Sequence, residues 1–525
     1  MEKPRKLPIG IQSFEKLREG GFLYVDKTDY VYRLAESGIP YFLSRPRRFG
    51  KSLFLSTLRA YFEGRRDLFE GLKIMDLEGD GPDAWQTYPV FYIDFNKENF
   101  RQEKALEMVL EAHVRDWEAI YGDDEITGSL PIRFQRMIKK AYESTGKRVA
   151  VLVDEYDKPL LEGADPEQIE HNKAAFKGFF STLKSYDQYL KFVFITGVTK
   201  FSKVSIFSDL NQLKDISLLP DYAGICGITE KELNKNFMPE IEACAAALDI
   251  TADECRQELK KMYDGYHFGQ NTDGVYNPFS LLNALQDRQF DMYWFSSGTP
   301  TFLLERLKKS SFDPKQITEG EVYADSSVLT DYRYDNPNPV PLFYQSGYLT
   351  IKSYDKRFRS YQLDYPNDEV RYGFLNSLVP IFLQTEDKEE KDPLDIRSFV
   401  TDIEKARTDS LKDRFTALFA KLPYPNDEKI VEQNFQNVIY IVFMLLGQYT
   451  MTEIHSAKGR ADCIVETADY VYLFEFKRDK SAEEALRQID DAGYAKPYAA
   501  DPRKLLKVGV NFNSKDRTID GWEMA

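Results

Sequence analysis

The sequence feature that most constrains the fold is the segment RPRRFGKSL, from Arg45 to Leu53. It keeps the last three positions of the phosphate-binding pattern GxxxxGK[ST] as Gly50, Lys51 and Ser52, and it has Arg45 in place of the first glycine. A strand-like run, YFLS, precedes the segment, and helix-forming residues follow it. Loops of this kind bind phosphate through backbone N–H groups at a helix N-terminus. We therefore expect an α/β fold around a parallel sheet.

The residue types of this loop each have a use in nucleotide binding. In proteins with this pattern the lysine reaches the β and γ phosphates of ATP, and the following hydroxyl ligates Mg²⁺. Arg47 and Arg48 would neutralise charge on the transferring phosphate, either within one chain or in a neighbouring copy. The alternative is that they are structural residues near the phosphates. The predicted nucleotide-binding residues of the loop are Arg47, Arg48, Phe49, Gly50, Lys51 and Ser52.

A second motif, KRVAVLVDEYDKP, consists of a basic entry, an apolar strand and two acidic residues, Asp154 and Glu155. A metal-binding carboxylate of a P-loop protein lies at the carboxyl end of such a strand, next to the phosphates. We expect Asp154 to hold Mg²⁺ together with Ser52, and Glu155 to orient or deprotonate the attacking water. The alternative is a solvated acidic strand end, and the presence of both motifs in one chain argues against it.

A third apolar run, KFVFITGVTKFS, contains Thr196 near its end. In many ATPases a polar residue at the end of the corresponding strand contacts the γ-phosphate. We therefore expect Thr196 to line the nucleotide site. Threonine at a strand end is also common in structural roles, so this motif is weaker evidence than the other two.

Short apolar runs alternate with amphipathic stretches up to about residue 220, which indicates an α/β domain with a parallel sheet. Residues 221–310 are rich in helix-forming patterns and include a capping box at Thr229 and Glu232. The runs at 341–355 and 360–366 predict a hairpin. The predicted strands are 41–44, 90–95, 149–153 and 192–196 in the first domain, and 449–454, 462–467, 471–477 and 505–512 in the tail.

The tail has a separate set of reactive residues, in the segment KGRADCIVETADYVYLFEFKRDK. Glu475 and Lys477 lie two apart on one predicted strand and share a face, and the turn before them brings Asp462 alongside. Two carboxylates for a divalent cation and a neighbouring lysine are the set that phosphodiester hydrolysis needs. Glu432, on the preceding predicted helix, is a further candidate metal ligand. A Glu-x-Lys pair alone is common on exposed strands, so the prediction depends on the order of the whole set.

Four segments together resemble one protein family: YVDKTDYVYRL, SRPRRFGKSLFLSTLRAYFEG, VLVDEYDKPL and ITGVTKFSKVSIFSDLNQL. They are similar to bacterial AAA-ATPase-like proteins, which usually carry a PD-(D/E)XK nuclease-superfamily tail. The resemblance covers essentially the whole chain. It implies an ASCE-type P-loop NTPase domain, a helical middle region for which a winged helix is one form, and a C-terminal α/β restriction-endonuclease-like domain. It also implies that Arg45 belongs to the family's own form of the loop, and that Gln488 occupies a polar active-site position.

The length of 525 residues exceeds what one hydrophobic core supports and predicts about three domains. We expect a P-loop domain at 1–220, a helical and mixed α/β region at 221–425, and a nuclease-like domain at 426–525. The formal net charge of −15 argues against indiscriminate coating of nucleic acid, because that binding depends on neutralising phosphates. Any basic groove must therefore be local.

Two function classes remain open from the sequence. The first is an ATPase, with ATP and Mg²⁺ as cofactors, coupled to a metal-dependent nuclease-like domain that acts on nucleic acid, DNA rather than RNA, in defence or control of mobile elements. The second is a nucleotide-switched sensor or scaffold whose nuclease-like module is inactive. The start of the chain has no apolar signal-peptide core, and the cysteines have no paired spacing. We therefore expect a cytoplasmic protein without a membrane partner, and homo-oligomers are compatible with it.

Overall fold

The computed structural model describes residues 5–525 except 123–126, 164, 202–212, 298–302, 304–306, 308–309, 311, 313–314, 319, 331, 333–335, 337, 384–394, 421–437, 448–450, 454–461 and 517. The chain forms two compact units. The N-terminal unit consists of Met1–Ser297 and Tyr323–Asn367, and the C-terminal unit of Gly298–Val322 and Asp368–Ala525. These boundaries differ from those of the three predicted segments, and whether those segments fold independently stays a prediction.

The N-terminal unit is built on a five-stranded sheet in which every pair of neighbouring strands is parallel. Its strand order is β2-β3-β4-β1-β5. Strand β4 therefore lies between β1, which precedes the phosphate-binding loop, and β3, which leads into Asp154 and Glu155 (the DE motif). This is the arrangement of an ASCE-type P-loop domain, and it confirms the predicted fold class. The strands are β1 Tyr41–Ser44, β2 Val90–Asp94, β3 Val149–Asp154, β4 Leu190–Gly197 and β5 Lys214–Asp215.

Burial of the central strands on both faces explains their composition. All six residues of β3, VAVLVD, are buried, and seven of the eight residues of β4 are buried as well. Parallel strands covered by helices on both faces have no solvent side, so they do not alternate apolar and polar residues. The helices around this sheet are α1 Phe14–Glu19, α2 Thr28–Ser37, α3 Lys51–Phe62, α4 Lys73–Glu78, α5 Ala105–Tyr121, α6 Leu130–Thr145, α7 Lys158–Leu161 and α8 Pro166–Ser185.

A helical region continues the N-terminal unit, as the sequence predicts. The predicted capping box is present, because the Thr229 side chain accepts from Glu232 N while the Glu232 side chain accepts from Thr229 N. A second apolar core packs these helices together and includes Leu233, Leu259 and Leu281. The elements are β6 Ile228–Thr229, α9 Glu230–Asn236, α10 Met238–Leu248, α11 Ala252–Tyr263, β7 Val275–Tyr276, α12 Pro278–Asp287 and α13 Tyr293–Ser296.

A small three-stranded sheet of order β8-β10-β9 completes this unit. The predicted hairpin is confirmed from Thr350 onward, but the prediction of a strand at 341–346 is wrong. These residues form a helix, which has Pro341 in its first turn and ends at Gly347 in the left-handed region. Proline at the start and glycine after the end outweigh the β-propensity of the aromatic residues between them. The elements of this part are β8 Tyr323–Asp325, α15 Ser326–Thr330, α16 Val340–Ser346, β9 Thr350–Asp355 and β10 Ser360–Asp364. Helix α14, Lys315–Thr318, precedes them in the chain and belongs to the C-terminal unit.

The C-terminal unit contains a second five-stranded sheet, of order β11-β12-β13-β14-β15. Strands β13 and β14 are parallel and helix α21 connects them, whereas the other pairs are antiparallel. This mixed α/β sheet agrees with the predicted fold class, and β15 is an addition that the sequence did not indicate. The elements are α17 Asp368–Leu383, α18 Ile396–Glu404, α19 Thr408–Ala420, α20 at 438–446, β11 Met451–Glu453, β12 Cys463–Glu466, β13 Tyr470–Arg478, α21 Ala482–Asp491, β14 Lys504–Asn513 and β15 Thr518–Met524.

Helices upstream of residue 426 pack on this sheet. The Tyr472 hydroxyl donates to Ile403 O at 2.6 Å, and the rings of Phe419 and Phe512 lie 5.5 Å apart. The ring of Phe415 lies 6.3 Å from that of Trp522. Helices α18 and α19 therefore belong to the core of the C-terminal unit. Among the described helices of both units, we found none with the length and apolar content needed to span a bilayer.

This packing predicts how fragments of the C-terminal unit behave. A fragment starting near residue 428 lacks Phe415 and Phe419, and each buried aromatic side chain contributes about 2 kcal/mol. We expect its free energy of unfolding to be several kcal/mol below that of a fragment starting at Asp368. Urea unfolding followed by circular dichroism measures both values. Equal stabilities would show that α18 and α19 contribute nothing to the fold of the sheet.

Candidate functional site

The phosphate-binding loop connects β1 to α3 at the carboxyl edge of the first sheet. Gly50 is the N-cap of α3 and has φ 95°, a left-handed conformation that glycine adopts without the penalty of a Cβ atom. Lys51 and Ser52 are the first residues of the helix. The free N–H groups of this first turn and the helix dipole present positive potential in front of the loop. Local structure therefore matches what a phosphate group requires.

The Lys51 side chain is buried and folds back over the loop. Its Nζ donates to Arg45 O at 3.1 Å and to Pro46 O at 3.2 Å. The same nitrogen lies 3.4 Å from Glu155 Oε1. The ammonium group thus lies between the loop and the DE motif, in contact with the carboxylate predicted to act on water.

Asp154 ends strand β3 and is almost completely buried. The Tyr92 hydroxyl lies 3.5 Å from its Oδ2, and Ser52 lies in the first turn of α3. Oδ1 has no hydrogen-bond partner among the described residues. Burial, and then the charge of Glu155, raise the pKa of Asp154 to about 6. A carboxylate oxygen without a partner beside a serine hydroxyl is a hard-oxygen donor set that fits Mg²⁺.

Glu155 lies in an unusual backbone conformation. Its φ is 50°, in the left-handed region that is costly for a side chain of this size. The Lys158 N–H donates to Glu155 O at 3.0 Å, and this bond holds the turn after the strand. The Glu155 side chain is only 17% exposed and faces a cavity. The turn therefore directs the carboxylate away from the sheet and toward the loop.

A cavity of about 480 Å³ lies in front of the loop, within the size range of small-molecule sites. Six of the predicted residues line it, namely Arg47, Arg48, Gly50, Lys51, Ser52 and Glu155. The remaining wall comes from residues that the sequence reasoning missed. Lys158 could have been found, since it follows the DE motif directly. Residues before α1 and at the start of α12 carry no sequence signal, and these are Pro8, Gly10, Ile11, Gln12, Pro278, Phe279 and Leu282.

Two predicted nucleotide-binding residues do not line this cavity. The Phe49 side chain is buried, with its ring 4.7 Å from that of Tyr266 and 5.5 Å from that of Phe268. Only the backbone of Phe49 is therefore available to a ligand. Thr196 is completely buried within β4, and its Oγ1 has no partner in the described part of the chain.

Arg45, at the position of the missing glycine, is a buried structural residue. Its guanidinium donates to Ser44 O and Ser217 O, both at 2.8 Å, and to Tyr222 O at 3.0 Å. The same group lies 4.0 Å from the centre of the Phe268 ring. Burial lowers the pKa of Arg45 from its usual value. Because Arg45 O also accepts from Lys51, this arginine connects the loop lysine to chain segments well beyond β4.

The third carboxylate of the DEYDKP motif, Asp157, has a structural role that the sequence did not indicate. Asp157 is completely buried, and its Oδ2 accepts from the backbone N–H of Thr199 at 2.6 Å and from the Thr199 hydroxyl at 2.7 Å. Val198 N donates to the same carboxylate at 3.1 Å. Burial raises the pKa of Asp157 to about 6. These bonds fasten the end of β4 to the turn that follows Glu155.

The C-terminal unit brings three predicted residues together, Asp462 directly before β12, and Glu475 and Lys477 on β13. Asp462 Oδ2 accepts from Phe476 N at 2.9 Å, which places it beside Glu475. The Lys477 Nζ donates to Glu475 Oε1 at 2.9 Å and to Gln488 Oε1 at 2.6 Å. Glu475 Oε2 is buried and has no hydrogen-bond partner in the described ranges. Burial, and then the charge of Asp462, raise the pKa of Glu475. This pair of carboxylates with a lysine fits a divalent cation.

Glu432, the fourth predicted acidic residue, lies outside the described residues. Within the described residues, no group of three or more His, Cys, Asp or Glu side chains is placed to hold a metal ion. The described donors for a cation in this unit are therefore Asp462 and Glu475, and water would complete the coordination.

The fold and the loop define the N-terminal unit as a P-loop NTPase domain. Residues 8–207 match a family model described as predicted AAA-ATPase, and residues 430–522 match the PD-(D/E)XK nuclease superfamily. A protein of Azotobacter chroococcum mcd 1, described as an uncharacterized protein in the vnfD 5′ region, is 36% identical over 530 residues, covering 99% of this chain and 98% of that protein. The chain belongs to the AAA-ATPase-like family and carries a C-terminal PD-(D/E)XK domain, as predicted.

Two solved chains of Aeropyrum pernix show a weak structural likeness. The ORC1 protein in complex with DNA is 10% identical with a TM-score of 0.25, and the match covers 66% of this chain and 92% of that one. The ORC2 protein, in ADPNP and ADP complexes, is 10% identical with a TM-score of 0.27, covering 66% of this chain and 90% of that one. TM-scores of this size do not establish a shared architecture, so the fold class follows from strand order and family.

The contacts of Arg45 predict that restoring the consensus glycine is harmful. Arg45→Gly removes the donors to three carbonyl oxygens, and hydrogen bonds to charged groups contribute about 1.5–3 kcal/mol each. We expect a fall of several kcal/mol in the free energy of unfolding, measured by urea denaturation. Arg47→Gly, the same change at an exposed side chain two residues later, should cost about 1 kcal/mol or less. Equal losses in the two variants would mean that the bonds of Arg45 do not support the loop.

Proposed function

We propose that the N-terminal unit binds ATP with Mg²⁺ and hydrolyses it. The single observation that carries this proposal is the convergence of Lys51, Ser52 and Glu155 on one cavity at the start of α3. Mg²⁺, when bound, supplies positive charge that neutralises the phosphate oxygens. Ser52 and the partnerless Oδ1 of Asp154 would hold it.

The remaining residues would act directly on the nucleotide. Lys51 would exchange its contact with Glu155 for the β and γ phosphates, which releases the glutamate to orient or deprotonate water. Arg47 and Arg48 line the same cavity and would neutralise charge on the transferring phosphate. Thr196 would contact the γ-phosphate only after its hydroxyl becomes accessible from the cavity.

Removal of the lysine tests the binding half of this proposal. Lys51→Ala loses the cation that pairs with the phosphates, and we expect kcat/KM for ATP to fall at least about 100-fold. Lys184→Ala, an exposed lysine on α8, is the matched control and should keep wild-type rates. Steady-state release of phosphate gives these values.

Replacement of the glutamate tests the catalytic half. Glu155→Gln keeps the shape of the side chain but removes its charge, so kcat should fall roughly 100- to 10,000-fold while ATP still binds. Isothermal titration with ATP measures binding separately from turnover. Turnover at the wild-type rate by Glu155→Gln would assign catalysis to another residue. Glu143→Gln, on the exposed face of α6, controls for the change in net charge.

We further propose that the C-terminal unit is a metal-dependent nuclease-like domain that acts on nucleic acid, DNA rather than RNA. This rests on the buried carboxylate of Glu475, whose Oε2 has no partner among the described residues. A bound divalent cation supplies charge to the scissile phosphate and acidifies water. Asp462 and Glu475 would hold it, and Lys477, positioned by Gln488, would stabilise negative charge on the phosphate. We propose that the protein acts in the cytoplasm, in defence or in the control of mobile elements. Homo-oligomers are compatible with this role.

A pair of aspartate variants tests the nuclease proposal. Asp462→Ala should abolish Mg²⁺-dependent cleavage and leave ATP hydrolysis near the wild-type rate, because its site lies in the other unit. Asp469→Ala, at the opposite end of β12 and β13, should cleave normally. Gel assays on duplex and single-stranded DNA and on RNA, with and without ATP, provide the measurement. If wild type and Asp462→Ala are equally inert on all substrates, the unit is an inactive module and the chain is a nucleotide-switched sensor or scaffold.

A further inference from the structure

The turn between β9 and β10 carries an unusual combination of side chains. Its four residues are Lys356, Arg357, Phe358 and Arg359, and all are exposed. Phe358 is 69% exposed, more than any other large apolar side chain in the described ranges. The Arg357 guanidinium lies 5.1 Å from the centre of the Phe358 ring. A solvent-exposed aromatic ring thus lies at the tip of a hairpin, in a turn that also carries three cations.

Hydrogen bonds from the backbone to Asp355 close this turn. The Asp355 carboxylate accepts from Arg357 N at 2.7 Å and from Phe358 N at 3.1 Å, and Asp355 pairs with Ser360 across the hairpin. Arg359 has φ 53°, a left-handed conformation that favours glycine or asparagine at such a position. An arginine there costs backbone energy.

The base of the hairpin is fastened to the nucleotide-binding part of the same unit. His267 N donates to Thr350 Oγ1 at 2.7 Å, at the start of β9. Gln345, on α16, accepts from Lys200 N at 2.8 Å, and its Nε2 donates to Leu329 O at 2.6 Å. Lys200 follows the end of β4 that Asp157 holds. The hairpin is therefore part of the same framework as the loop.

Charge and aromaticity together define the partner. The turn carries three cations within four residues of a chain whose formal net charge is −15, and positive charge of this density attracts a polyanion. Arginine and lysine bind phosphodiester oxygens, and an exposed aromatic ring stacks on a base or inserts at a base step. A nucleic-acid strand offers both groups side by side, whereas a lipid surface offers phosphates but no bases.

We propose that the turn Lys356–Arg359 is a nucleic-acid contact surface, in which the cations bind backbone phosphates and Phe358 contacts a base. This inference rests on the proposed action of the chain on nucleic acid. The turn would be the surface of the N-terminal unit that holds the nucleic-acid strand. This role is separate from the hydrolysis of ATP and from the Asp462 site.

The test measures binding without cleavage. Fluorescence anisotropy with short labelled duplex DNA, single-stranded DNA and RNA is recorded for the full chain in EDTA, over a range of salt concentrations. Arg357→Gln/Arg359→Gln should reduce the slope of log K against log salt by about two on duplex and lower the affinity accordingly. Phe358→Ala should weaken single-strand binding roughly 5- to 100-fold. Thermal unfolding midpoints establish that the variants are folded.

Two matched controls isolate the surface. Lys231→Gln/Lys235→Gln removes the same number of charges from exposed positions on α9, and Ile120→Ala removes an apolar side chain that is 68% exposed on α5. Both should bind as wild type does. Vesicles of phosphatidylcholine with phosphatidylserine form a further arm, on which the hairpin variants should behave as wild type.

The outcomes separate this inference from the proposed function. Equal binding by wild type and both hairpin variants, with Asp462-dependent cleavage present, overturns the inference and leaves the function standing. A wild type that binds none of the nucleic acids, or a hairpin effect seen only on vesicles, also overturns it. Absence of ATP hydrolysis or cleavage in wild type, with binding still dependent on the hairpin, counts against the function alone.

Discussion

Parallel pairing of β1, β4 and β3 is the constraint on which the rest of the N-terminal unit depends. Because the carboxyl ends of parallel strands meet at one edge of a sheet, the loop after β1 faces the acidic residues after β3. The 3.4 Å contact between Lys51 and Glu155 is the direct result. The helix dipole of α3 and the buried carboxylate of Asp154 then add a charge pattern that suits a phosphate with its cation.

Arg45 shows how this loop differs from the common form. A glycine at this position lets the loop turn freely, whereas the buried guanidinium bonds to carbonyl groups of Ser217 and Tyr222 and packs on Phe268. The loop is thereby fastened to segments beyond residue 207, where the match to the ATPase family model ends. The compact unit also extends past the matched domain, to Asn367.

Periodicity and motif spacing predicted the buried strands of both sheets, because long apolar runs and acidic strand ends are local properties of the sequence. The helix at Val340–Ser346 was mistaken for a strand, since its aromatic residues favour strands and only its proline and glycine indicate otherwise. The burial of Arg45 and Asp157 and the cavity wall at Phe279 depend on contacts between distant segments, which no local pattern contains. Lys51, Ser52 and Glu155 line one cavity, and the roles that the sequence predicts for them and for Asp154 stay predictions.

A crystal structure of the chain with a non-hydrolysable ATP analogue and Mg²⁺ would show whether the loop at Lys51 binds the nucleotide. We expect phosphates over the first turn of α3, with the Lys51 Nζ moved from Glu155 onto a phosphate oxygen. We also expect a cation about 2.1 Å from Ser52 Oγ, beside Asp154. A nucleotide bound elsewhere, with Lys51 still in contact with Glu155, would contradict it.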